Sequence, residues 1–226
     1  MFSGGYDMPR KTFEASLEDL NVELIKMGAI VEKAINSAII AFKNHDDKLA
    51  KEIVDQDRVI DDMEKDIESK CLSLILRQQP VACDLRVVST ALKMVTDMER
   101  IGDQAADIAE LVLDFSSELN YNAIEHIPAM AEVAVSMVHG AIAAFVNADI
   151  DAAREIIKKD DIVDDLFDKV KHDVSKNLQI DPKNSDMDIN FLMIAKYLER
   201  IGDHAENICE WIEFSETGEY KNGRLL

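Results

Sequence analysis

The chain has 226 residues, enough for one large domain or two small ones that each bury a core. Its 25 Lys and Arg against 45 Asp and Glu leave a formal charge of −20, which speaks against nucleic acid and anionic membrane surfaces and in favour of cations and basic protein surfaces. A hydrophobic content of 47% excludes a disordered acidic chain.

The N-terminal stretch MFSGGYDMPRKTF has no apolar signal region. No uninterrupted apolar run reaches the roughly 18 residues of a membrane span, the best candidate being broken by Glu32 and Lys33. The expectation is a cytoplasmic protein without membrane insertion. Cys71, Cys83 and Cys209 are odd in number and lack C-x-x-C spacing, which fits small buried thiols in a reducing compartment.

From Leu17 the apolar positions Leu20, Leu24, Met27, Val31, Ala34, Ala38 and Ala41 follow in steps of three and four, which predicts a first helix. Asn44-His45-Asp46 reads as a break. A second helix carries Leu49, Ile53, Ile60, Met63, Ile67 and Leu74 and ends at Gln79-Pro80, because the residue before proline avoids the helical region. A third carries Ala91, Met94, Met98, Ile101, Ala105, Ile108, Val112 and Phe115. Residues 117–124 read as a linker, and then the plan restarts.

Ala38–Asp62 aligns without a gap on Ala141–Asp165, with 12 identities in 25 positions. MERIGDQAADIAE (98–110) matches LERIGDHAENICE (198–210) at eight of thirteen. The offset falls from 103 to 100 where DPKNSDMD replaces QQPVACDLR. Two copies of one unit, rather than many short ones, exclude a solenoid. The fold class expected is all-α, two tandem pseudo-symmetric three-helix bundles spanning 1–116 and 125–226, each closing its own core.

In the third helix Glu99 and Asp103 stack four residues apart, and Asp107 and Glu110 extend the same face. The second helix has Asp57, Asp61, Glu64 and Glu68 at helical spacing. The second copy repeats the layout with Asp160 and Asp164 on one helix and Glu199 and Asp203 on the other. These faces are expected to point away from the bundle cores. Two carboxylates about 5.5 Å apart repel by about 3 kcal/mol at an effective dielectric near 20, and a bound cation reverses that sign. Carboxylates alone are hard oxygen donors suited to Mg²⁺, Ca²⁺, Mn²⁺ or iron. Four negative charges per site favour more than one divalent ion. A solvated acidic surface that docks protein without metal is the bland alternative.

Arg100 and Arg200 read as partners for neighbouring acids, and Gly102 and Gly202 as points of close helix approach. His204 has Gln104 as its counterpart, which argues against a symmetric ligand role, and His45, His126, His139 and His172 are placed at the surface. Trp211 and the methionines on apolar stripes read as core. A dimetal oxidase on a helical bundle needs Glu-x-x-His pairs, and the chain contains none.

The doubled E-R-I-G-D, the stretch LRQQPVACDLR at 76–86, Met27-Gly28 and the terminal run YLERIGDHAENICEWIEFSETGE together resemble the PhoU family of phosphate-uptake regulators, from about Arg10 to Tyr220. That resemblance implies multinuclear metal clusters, iron or zinc, on Asp57, Asp61, Glu99 and Asp103 and on Asp160, Asp164, Glu199 and Asp203. It also implies a homodimeric, non-enzymatic negative regulator of the phosphate-starvation response. Its partners would be the ATPase subunit of the phosphate ABC transporter and the sensor histidine kinase of the phosphate two-component system. A PhoU-like regulator of a different transporter fits the same residues. One departure from the family pattern stands out: Asp107 in the first copy stands where the second has Asn207.

Overall fold

The computed structural model describes residues 7–115, 126–220 and 223–224, so the expected linker at 117–124 lies outside the described residues. Among the described residues six helices make up the two repeats: α1 (Asp7–Asn44), α2 (Asp47–Gln78) and α3 (Ala82–Leu113), then α4 (His126–Val146), α5 (Ile150–Ile180) and α6 (Ser185–Thr217). A 3-10 turn, Pro182–Asn184, leads into α6. After α6, β1 (Glu219–Tyr220) pairs antiparallel with β2 (Gly223–Arg224).

The breaks repeat as faithfully as the helices. His45 takes a left-handed conformation (φ 51°), and Asp46 then caps α2 by accepting the Leu49 N–H at 3.0 Å. At the offset of 103, Ala148 (φ 50°) precedes Asp149, which accepts the Ala152 N–H at 2.9 Å. A short side chain accepting from the third residue on satisfies an otherwise orphaned N–H and fixes where the helix begins. Gln79 (φ 46°) ends α2 before Pro80, as the sequence predicts. Helix α1 begins at Asp7, ten residues before the first periodic position, and Phe13 on that extension is buried.

The expectation that each bundle closes its own core needs correcting. One continuous apolar cluster runs from Leu20 and Met27 through Met98 and Ile108 to Ile127, Met137 and Ile208. It is continuous because α1 packs on α4 and α3 packs on α6, besides the contacts within each bundle. Helices α3 and α6 lie antiparallel. The Arg86 Nε–H donates to the Ser215 carbonyl at 2.9 Å, the Thr90 hydroxyl to the Trp211 carbonyl at 3.1 Å, and His204 Nδ1 lies 2.8 Å from Asp97. Arg86 thereby places a cation at the C-terminal end of α6, where unpaired carbonyls and the helix dipole favour it. Phe42, Phe115 and Phe191 form a second tie, with Phe191 centroids 5.7 Å and 5.5 Å from the other two.

Helix α4 is long and apolar enough, by length and composition, to cross a membrane, but 50% of that stretch is buried inside the protein. Ile127, Met130, Ala134, Met137, Val138 and Ala141 are fully enclosed, which is the composition of a central core helix.

Three smaller expectations change. Trp211 is only half-buried and is stacked by Tyr220 at 4.0 Å. Cys83 is exposed, whereas Cys71 and Cys209 are buried as expected. His45 is half-buried with its ring 6.4 Å from that of Phe115, and the loss of solvent lowers its pKa.

Replacing Phe191 with Ala removes the ring shared by both repeats and should cost about 3–5 kcal/mol. A urea titration should show the midpoint of the whole helical signal falling. A loss confined to a second, separable transition would mean that the repeats fold independently.

Candidate metal centre

Each repeat places its carboxylates along the seam between its second and third helices. In the first, Asp57 and Asp61 come from α2 and Asp103 from α3, and one oxygen of each lies within 4.8 Å of the others. All three are half-buried, and the Glu99 side chain is only 13% exposed. The acids therefore sit in a groove between helices, not on the outward faces expected from spacing. One carboxylate oxygen of Asp57 is buried without a hydrogen-bond partner. Glu99 Oε2 is buried as well, and its contact is the Arg100 Nε at 3.3 Å. Arg100, the half-exposed arginine of the motif, also donates to Asp103 Oδ2 at 2.8 Å.

The second seam carries Asp160 and Asp164 on α5 and Glu199 and Asp203 on α6. Asp160 is half-buried, with one oxygen enclosed and unpartnered, while Asp164 and Asp203 are exposed. Among the described residues, no three of these converge as Asp57, Asp61 and Asp103 do. Glu199 is instead ion-paired with Lys196. Glu206, one turn beyond Asp203, is the strongest repelling charge on Asp160. Spacing alone could have identified Lys196 and Glu206, at i−3 from Glu199 and i+3 from Asp203.

The motif glycines explain how the helices come so close. A Cβ on Gly102 would stand 2.7 Å from Ile60 Cδ1 and 3.0 Å from its Cγ2. A Cβ on Gly202 would stand 2.8 Å from Asp160 Oδ1, so this glycine keeps open the space that the carboxylate occupies. Beside Asp57 a cavity of about 180 Å³ opens among Ile30, Ala34, Ile53, Ile60 and Gly102. Met137 stands at the position matching Ala34 in the second repeat, and it is fully buried.

Burial and mutual repulsion act together on these groups. Loss of solvent, reinforced by Asp103 and Asp61, pushes the Asp57 carboxyl up to about 6. Burial and then Asp103 raise Glu99 to about 7 against the pull of Arg100. Asp160 rises to about 7, through burial first and Glu206 next. Asp107, Asp164 and Asp203 are raised in the same direction, burial being the main cause in each. Asp107 faces Arg200 from α6, which pulls the other way.

Whether a metal fits follows from the donors. Carboxylate oxygens that are enclosed, unpartnered and repelling one another suit hard cations such as Mg²⁺, Mn²⁺ or iron. Zinc, which favours nitrogen and sulfur, fits less well. No imidazole belongs to the described convergence on Asp57, Asp61 and Asp103, and burial pushes the Cys71 and Cys209 thiols up to about 12. His204 is occupied by Asp97.

The PhoU domain model matches residues 24–112 and again 127–212, one match per repeat. The chain belongs to the PhoU family. It is 39% identical over 212 residues to the phosphate-specific transport system accessory protein PhoU homolog of Clostridium acetobutylicum, covering 93% of this chain and 97% of that protein. It is 31% identical over 207 residues to the accessory protein PhoU of Escherichia coli K12, covering 92% and 86%. The crystal structure of PhoU from Pseudomonas aeruginosa superposes with a TM-score of 0.84 at 33% identity, covering 92% of this chain and 100% of that one. The phosphate transport system regulatory protein PhoU from Streptococcus pneumoniae gives 0.86 at 27% identity, covering 92% and 98%. The all-α fold of two three-helix repeats is thus that of the family.

Two outcomes follow. A carboxyl raised by the fold stabilises the protein fully below its unfolded pKa near 4, and that contribution is lost as pH climbs through about 7 for Asp160. With chelator present, Asp160→Asn should therefore raise the melting temperature above wild type at pH 8, and the gap should close towards pH 5. An equal gap at both pH values would contradict the burial argument. Gly102→Ala gains about 1 kcal/mol of helix propensity but overpacks Ile60 at a cost of about 1–3 kcal/mol. Thermal unfolding should show a net loss of about 1 kcal/mol.

Proposed function

We propose that this chain is a metal-binding accessory protein of a phosphate-uptake system, acting in the cytoplasm as a negative regulator without catalytic activity of its own. The observation that carries the metal part is the pair of glycine-opened seams, each with an enclosed and unpartnered carboxylate oxygen, Asp57 in one and Asp160 in the other. Hard divalent or multinuclear iron sites on Asp57, Asp61, Glu99 and Asp103 and on Asp160, Asp164, Glu199 and Asp203 would relieve that repulsion; Mg²⁺ and Mn²⁺ have the same donor preference, and zinc a weaker one.

The transport part rests on family membership and on relatives named as phosphate-specific transport accessory proteins. The partners in this reading are the ATPase subunit of the phosphate ABC transporter and the sensor histidine kinase of the phosphate two-component system, met by a homodimer. A charge of −20 steers the chain towards basic faces on such partners.

Elemental analysis of untagged protein, purified without chelator, tests the metal part. More than one ion per chain is expected. Little should remain in a variant carrying Glu99→Gln, Asp103→Asn, Glu199→Gln and Asp203→Asn that keeps its helical circular dichroism. Capture of the transporter ATPase by wild type, and its loss in the variant, would link the seams to docking. Capture that survives complete metal removal would leave a metal-free helical adaptor as the better reading. Failure to capture this ATPase would turn the search to a different transporter.

A further inference from the structure

The two seams carry the same four signature acids but end differently. At the offset of 103, Glu64 and Glu68 of α2 correspond to Phe167 and Lys171 of α5. At the offset of 100, Thr96 of α3 corresponds to Lys196 of α6. One end of the first seam is thus acidic, and Glu64 lies close enough to Glu99 to repel it. The same end of the second seam is an aromatic ring flanked by two ammonium groups, with Lys171 Nζ 5.6 Å and Lys196 Nζ 5.5 Å from the Phe167 centroid.

Lys171 is engaged by Asp168 at 2.5 Å, which leaves Lys196 as the lysine turned to the acids. Its ammonium pairs with Glu199 and also pulls on Asp164 and Asp203, three of the four signature carboxylates. The ring face of Phe167 gives that ammonium a second favourable contact and so a fixed seat. In the first seam the half-exposed Arg100 lies 3.3 Å from Glu99 Oε2 and donates to Asp103 Oδ2 at 2.8 Å, and Asp57, Asp61 and Asp103 still converge with it in place.

Resting on the metal-binding reading above, we infer that the second seam carries its own counter-ion, Lys196 seated on Phe167, and that the first seam takes a hard divalent cation before the second does. A cation entering the second seam must displace an ammonium already paired with Glu199. A cation entering the first meets a preassembled carboxylate triad. Thr96, with no charge, stands where the second repeat has Lys196.

The probe is Mn²⁺, titrated into metal-stripped protein, with bound ion counted by the loss of its free electron-paramagnetic-resonance signal. Wild type should show a tighter and a weaker class of site. Asp57→Asn with Asp103→Asn should remove the tighter class, and Asp160→Asn with Asp203→Asn the weaker. Lys196→Thr should tighten the weaker class by about tenfold, the scale of one charge interaction at partial burial, and Thr96→Lys should weaken the tighter class. Each variant is used only after its circular dichroism matches wild type and its metal-free melting is cooperative and no lower than that of wild type. Equal affinities at both seams, or a Lys196→Thr titration identical to wild type, overturn this inference and leave the metal reading standing. No bound Mn²⁺ in wild type or in Lys196→Thr overturns both.

Discussion

Helices α3 and α6 lie antiparallel, and each of the other four helices packs on one of them. That contact is why the two repeats share a core. It matches Arg86 with Ser215, Thr90 with Trp211 and Asp97 with His204, pairs whose residue numbers share one sum. A constant sum is what antiparallel helices related by a pseudo-twofold axis must show. The same two helices present the doubled E-R-I-G-D to the seams, so the packing that closes the molecule also sets where its acids stand.

Close helix approach and charge repulsion oppose each other in the seams. Gly102 and Gly202 let the neighbouring helix approach to a distance that a methyl group would forbid. The approach encloses oxygens of Asp57 and Asp160 and so removes the water that would screen them. Carboxyls with pKa values near 6 and 7 are the consequence, since a desolvated acid holds its proton unless a cation replaces it. In the second seam part of that compensation is built into the chain.

The acidic surface follows the same logic on a larger scale. With −20 to distribute and the core claimed by apolar stripes, most carboxylates remain in solvent, several paired with a lysine three or four residues away on the same helix. Such pairs contribute little to stability. The half-buried acids differ, since enclosure prevents water from doing what it does for the others.

The sequence by itself determined the helices, their breaks and the doubling. Periods of three to four residues identify a helix whatever it packs against, and Asp46, Asp149 and Gln79-Pro80 punctuate locally. The acid pairs Glu99/Asp103 and Asp57/Asp61 were legible for the same reason, because spacing along one helix is set by the chain. Tertiary structure alone decided which face meets which. Periodicity shows that α3 has an apolar side but not that this side extends to α6, so the shared core was not legible and the acids looked outward. It also decided that Lys196 sits over the Phe167 ring, because that contact joins α5 to α6 across about thirty residues of chain, which no local spacing encodes.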